Sequence, residues 1–125
     1  MPHRADGYLF RDGAYRRGEP LRPQVIAANG GILIDVLDFA AWDIAITGHR
    51  LLRPDSLAAM TTPARLADGR TVGHGLGWFL DTFNGHRFGA HWGTTVTGHS
   101  AVIRRYTADR LTVIMLANLD DGGFG

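Results

Sequence analysis

The stretch that decides the fold is His86–Asn118, "HRFGAHWGTTVTGHSAVIRRYTADRLTVIMLAN". It alternates apolar segments with short turn-forming breaks. "HRFGAHW" reads as one strand, "HSAVIRRY" as a second and "LTVIMLAN" as a third, with the turn "TADR" between the last two. Upstream, "GLGWFLDT" reads as a strand that meets "HRFGAHW" across Asn84–Gly85, a strong hairpin signal. The run around Val113–Ala117 is almost wholly apolar, which predicts a strand covered on both faces.

Two helices precede these strands. In "ANGGILIDVLDFAAWDIAITGHRLL" Asp35 is placed to cap a helix over 35–48, and Asp38 adds a carboxylate to its first turn, where the helix dipole favours it. Leu37, Ala40, Ala41, Ile44 and Ala45 follow helical spacing; Phe39, Trp42 and Ile46 widen the stripe, so more than one covered face is expected. Gly48 is a natural stop. A shorter helix begins at "RPDSLAAM", with Pro54 in its first turn, and ends before Pro63. Residues 1–27 read as loops with short strands at Tyr8–Phe10 and Ala14–Tyr15, residues 28–62 as helical, and residues 73–118 as antiparallel strands. The expectation is an α+β fold: an antiparallel sheet of about three to five strands with helices packed on it.

Composition narrows the function classes. The 125 residues carry a net charge of +1, which gives no general attraction to nucleic acid or to an anionic membrane. No apolar run approaches a membrane span, and "MPHRADGY" does not have the build of a signal peptide. With no cysteine there is no thiolate or disulfide chemistry, which fits the cytoplasm. All 13 basic side chains are arginine, so no mechanism here can use an amine side chain.

Candidate chemistry is sparse. His86, His91 and His99 match no metal-ligand spacing. "GHGLGWF" lacks the order of a phosphate-binding loop, and Asp120–Asp121 reads as a solvated turn. Arg104 and Arg105, adjacent on a strand, point to opposite faces. The only serines are Ser56 and Ser100, neither in a nucleophile elbow. Trp42, Trp78 and Phe79 read as core, and Thr95 and Thr97 as partners within their own loop. His91 acting with Asp81 or another carboxylate on water is a further arrangement.

In series, "ANGGILIDVLDFAAWDIAI", "LLRPDSLAAMTTPARLADGRTVGHGLGWFLD" and "GHRFGAHWGTTVTGHSAVIRRYTADRLTVIMLANLDDG" resemble the C-terminal half of the β-lactamase-related serine hydrolases. That group includes class C β-lactamases, DD-peptidases and esterases. The likeness spans about residues 28–122 and rests on the order of several motifs. It implies an acyl-transfer site in which a Ser-x-x-Lys serine attacks, Tyr-x-Asn moves protons, and a Lys-Thr-Gly or His-x-Gly strand edges the pocket. His91-Trp92-Gly93 matches the His-x-Gly form. By that likeness His91 is the catalytic candidate, and Trp92, Gly93, Thr94, Thr95 and Gly98 are the substrate-binding ones. Backbone N–H groups near Gly93 and Thr94 would serve an oxyanion. The loop closes at Gly98 followed by His99, where the family has Gly and an aromatic and closes about one residue sooner.

The departures are as informative. Ser-x-x-Lys cannot occur without lysine, and Tyr8, Tyr15 and Tyr106 are followed two places on by Phe10, Arg17 and Ala108, so Tyr-x-Asn is absent. The expected protein is one wall of a serine hydrolase, inactive alone, with no cofactor and no metal. Its substrate would be a small acyl compound (a β-lactam, ester or peptide) once the N-terminal half completes it. A further helix or strand is expected from outside these residues or from a partner chain. Exposed apolar surface would then favour self-association. A non-catalytic binding or regulatory module on the same sheet is the alternative.

Overall fold

The computed structural model describes residues 3–19 and 30–120. Its elements are β1 (Tyr8–Arg11), β2 (Ala14–Arg17), α1 (Val36–Thr47), α2 (Pro54–Met60), β3 (Phe79–Phe83), β4 (His86–Thr95), β5 (His99–Tyr106) and β6 (Leu111–Ala117). The fold is α+β, with a two-stranded antiparallel sheet β1-β2 and a four-stranded antiparallel sheet in the order β3-β4-β5-β6. Residues 20–27 of the expected loop region, the start of the helical region at 28–29, and Asp121 lie outside the described residues.

Turn chemistry sets the strand order. Asn84 and Gly85 both have positive φ, 49° and 84°, as a two-residue hairpin with the sheet's twist requires. They put Phe83 opposite His86 and Phe79 opposite Ala90. Between β4 and β5 the loop is Val96-Thr97-Gly98, with Gly98 at φ 81° and its N–H donating to Thr95 O at 2.9 Å. This is the three-residue hairpin with a left-handed last position.

The chain divides into two compact units. One comprises Val36–His91 and Ile103–Ile114. Its buried apolar side chains are Ile46, Trp78, Ala90 and Ile103, and Asp43 and Arg105 are buried with them. Arg105 Nε lies 2.7 Å from Asp43 Oδ1, as an ion pair without a directed hydrogen bond. Arg105 Nη2 donates to Thr47 Oγ1 at 2.6 Å, and Thr112 Oγ1 donates to Asp43 Oδ2 at 2.8 Å. These contacts tie α1 to β5 and β6.

They also set the rotation of α1, against the expected stripe. Leu37 is 78% exposed and Ile44 63%, while Asp43 and Ile46 face inward. An acid that has found a buried arginine and a hydroxyl cannot turn outward without stranding both partners. One face is covered rather than several. Trp42, expected in the core, is exposed and tilts against Phe39 with ring centroids 5.6 Å apart. Trp78 is buried as expected, beneath the Arg105 guanidinium at 5.5 Å. Arg104 and Arg105 part as the strand period requires, Arg104 lying over Phe88 at 4.5 Å.

The apolar run of β6 is not covered on both faces. Leu111, Val113, Met115 and Leu116 are all exposed. β6 ends the sheet order, whereas β5 has a strand on each side and is the most buried strand of the sheet.

The other unit comprises Met1–Asp35, Trp92–Val102 and Met115–Gly125. The Tyr8 N–H donates to Asn118 O at 2.9 Å, and Asp120 N–H donates to Tyr8 O at 2.9 Å. Arg11 pairs with Asp120 and Arg17 with Asp6. Ser100 is buried, and its hydroxyl donates to Leu119 O at 2.6 Å. Among the described residues no helix is long and apolar enough to cross a membrane.

Candidate functional site

β4 positions the His-x-Gly sequence. His91 is exposed, and its Nδ1 lies 2.8 Å from the carbonyl oxygen of Gly77. A carbonyl only accepts, so Nδ1 carries the donated proton, and the lone pair of the neutral ring is on Nε2. Gly77 aims that carbonyl from a left-handed conformation, φ 81°, which a side chain would resist. Phe79 flanks the arrangement, its ring centroid 6.3 Å from that of His91 and 4.3 Å from that of His74. The ring is thus oriented by a backbone group, not by a carboxylate. Asp81, a partner weighed from sequence, has its Oδ1 engaged by the N–H of Thr82 at 2.7 Å.

The remaining candidates fall in the second unit. Trp92, Gly93 and Thr94 are exposed, and a Cβ placed on Gly93 would meet no atom within 4 Å. Free space lies over that part of the strand. Thr95 and Gly98 face inward. The Thr95 hydroxyl lies 2.7 Å from that of Thr97, the loop partnership expected from sequence, and Gly98 packs against the backbone of Tyr8.

The histidines go separate ways. His86 pairs with Asp109 at 2.9 Å, between the β3–β4 turn and the β5–β6 turn. His99 bonds to Thr97 Oγ1 at 3.2 Å and to Ala5 O at 3.1 Å. Among the described residues no group of three or more His, Cys, Asp or Glu side chains is placed to hold a metal ion. Ser56 sits half-buried on α2 and Ser100 is buried.

Two features were missed from sequence. A cavity of about 430 Å³ opens beside the Asp43–Arg105 pair, lined also by Ile44, Thr47, Leu111 and Thr112. Its signal was Asp43 alone in the apolar run "FAAWDIAI". The second is the extension of the expected Thr95–Thr97 partnership to His99; its signal was three hydrogen-bonding side chains at alternate positions. No family model, no curated protein and no solved structure matches this chain.

Proposed function

We propose that this chain supplies the His-x-Gly wall of a β-lactamase-related serine hydrolase, whose Ser-x-x-Lys and Tyr-x-Asn motifs come from another segment. The resemblance in motif order motivates the reading. One observation supports it most: His91, on an exposed strand, has Nδ1 held by Gly77 O, which leaves Nε2 as its accepting atom. In the proposed enzyme Nε2 binds the substrate or accepts a proton at the pocket edge. By the same resemblance Trp92, Gly93, Thr94, Thr95 and Gly98 would bind the substrate, and backbone N–H groups near Gly93 and Thr94 would serve the developing oxyanion. The substrate class is an acyl compound with a carbonyl open to attack: a β-lactam, an ester or a peptide.

The outward apolar side chains of α1 and β6 agree with a chain that packs against a further segment. By itself the chain is expected to hydrolyse neither a chromogenic β-lactam nor p-nitrophenyl acetate. The test begins with the reading frame upstream of codon 1, which should encode Ser-x-x-Lys and Tyr-x-Asn. The joined protein should form a covalent acyl adduct at that serine, detected by mass, and His91→Ala should lower its turnover. A frame without those motifs, or acylation of the isolated chain at Ser56 or Ser100, refutes the reading.

A further inference from the structure

Thr95, Thr97 and His99 form an unbroken hydrogen-bonded path within one unit. Its polarity follows from the end that can only accept. His99 Nε2 lies 3.1 Å from the Ala5 carbonyl, so Nε2 bears the proton. In the neutral ring Nδ1 is then an acceptor, and Thr97 Oγ1, 3.2 Å away, must donate to it. Having given its one proton, Thr97 Oγ1 accepts from Thr95 Oγ1 at 2.7 Å. Thr95 Oγ1 accepts in turn from the backbone N–H of His99 at 3.3 Å.

The same atoms satisfy the opposite polarity. One proton enters at Thr95 Oγ1, the proton of Thr95 passes to Thr97, and that of Thr97 passes to His99 Nδ1. The product is an imidazolium whose Nδ1–H donates to Thr97, while Thr97 donates to Thr95. The proton now on Thr95 has an acceptor in His99 O, 3.4 Å away. Neither state strands a buried polar group, so reversal avoids the penalty for an unmade hydrogen bond.

We propose that Thr95, Thr97 and His99 are a reversible proton wire, with His99 as its store and Thr95 as its outlet on β4. Its use at an acyl pocket rests on the function proposed above; the wire itself does not. Thr97 is only 5% exposed, which keeps solvent from short-circuiting the middle of the path. Arg4, Asp6 and Glu19 line the cavity of about 70 Å³ that Thr97 and His99 also border. Asp6 is paired with Arg17, so Arg4 and Glu19 complete the charges around the ring. Two residues beyond Gly93, the Thr95 hydroxyl donates to Thr97 when His99 is neutral and to His99 O when His99 is charged.

The test is a titration of the isotopically labelled chain by nuclear magnetic resonance, from about pH 5 to about pH 8, the range in which histidine changes charge. Neutral His99 should carry its proton on Nε2. The Thr95 and Thr97 Cβ signals should shift with the same midpoint as the His99 ring. In Thr97→Val, which keeps the shape and removes the relay, Thr95 should no longer follow His99. A neutral His99 protonated on Nδ1 overturns the proposal. So does a Thr95 signal that ignores the titration, or that follows it equally in Thr97→Val. The first two readings need no variant, so they decide even if Thr97→Val does not fold. None of them measures acyl transfer, so failure of the wire and failure of the hydrolase reading are told apart.

Discussion

Asp43→Ala is expected to destabilise the chain by about 3–5 kcal/mol, because it removes one partner of a buried ion pair. The side chains of Arg105 and Asp43 are 7% and 10% exposed, so solvent cannot replace what is lost. Arg105 would keep Thr47 Oγ1 at 2.6 Å and nothing negative beside it. Thr112 would lose its acceptor as well, a loss of about 1 kcal/mol included in that range. Small domains are stable by only about 5–15 kcal/mol, so the variant sits near the edge of folding. Urea unfolding followed by tryptophan fluorescence is the assay, since Trp78 lies 5.5 Å from the Arg105 guanidinium and reports on it. With a slope of about 1–3 kcal/mol per molar urea, the midpoint should fall by more than about 1 M. The double replacement Asp43→Leu with Arg105→Met should recover most of the loss, because an apolar pair of similar volume leaves no charge stranded. An Asp43→Ala variant that loses less than about 1 kcal/mol, the range of an exposed pair, would refute the claim that this contact sets the rotation of α1.

Gly98→Ala combines an unfavourable φ of 81° with a Cβ directed into the Tyr8 backbone, and should cost about 2 kcal/mol or more in thermal denaturation. Gly85→Ala, with φ 84° but open space around the added carbon, should cost clearly less; equal losses would contradict the packing described here. Replacing exposed Leu37 and Ile44 together by glutamine should raise the monomer fraction in sedimentation and leave the unfolding free energy within about 0.5 kcal/mol of the original. Asp68 is held below its ordinary value of 3.8, first by the backbone N–H of Arg70 and next by the Arg70 side chain. Its contribution is therefore present above the unfolded value and lost as pH falls through the lower folded one. Arg70→Ala keeps the backbone donor, so the Asp68 titration midpoint should stay depressed; a full return to 3.8 would assign the effect to the guanidinium alone.

The elements themselves were legible because their causes are local. Asn84–Gly85 forms the hairpin turn, Pro54 opens α2, and the alternation in "HSAVIRRY" gives β5 its buried positions. His91 was singled out from its neighbours in sequence, and the structure places it exposed on β4. Its orientation was not legible, because the carbonyl that holds it belongs to Gly77 across the β3–β4 hairpin. The link from His99 to Ala5 was equally out of reach, since the two are 94 residues apart.

Apolar periodicity marked α1 as a helix and included Ile46, which is buried, but it also counted Leu37 and Ile44, which stay exposed. A periodic pattern records which residues are apolar; it does not record that an acid on the opposite side has a partner. That partner, Arg105, and the donor Thr112, 69 residues from Asp43, exist only once β5 and β6 are laid beside the helix. Sequence alone determined where this chain bends, pairs and coils, since those depend on neighbours within a few residues. Tertiary structure decided which way α1 turns and which side of β6 stays open, because a buried charge outweighs a methylene stripe only where its counter-charge has been brought within reach.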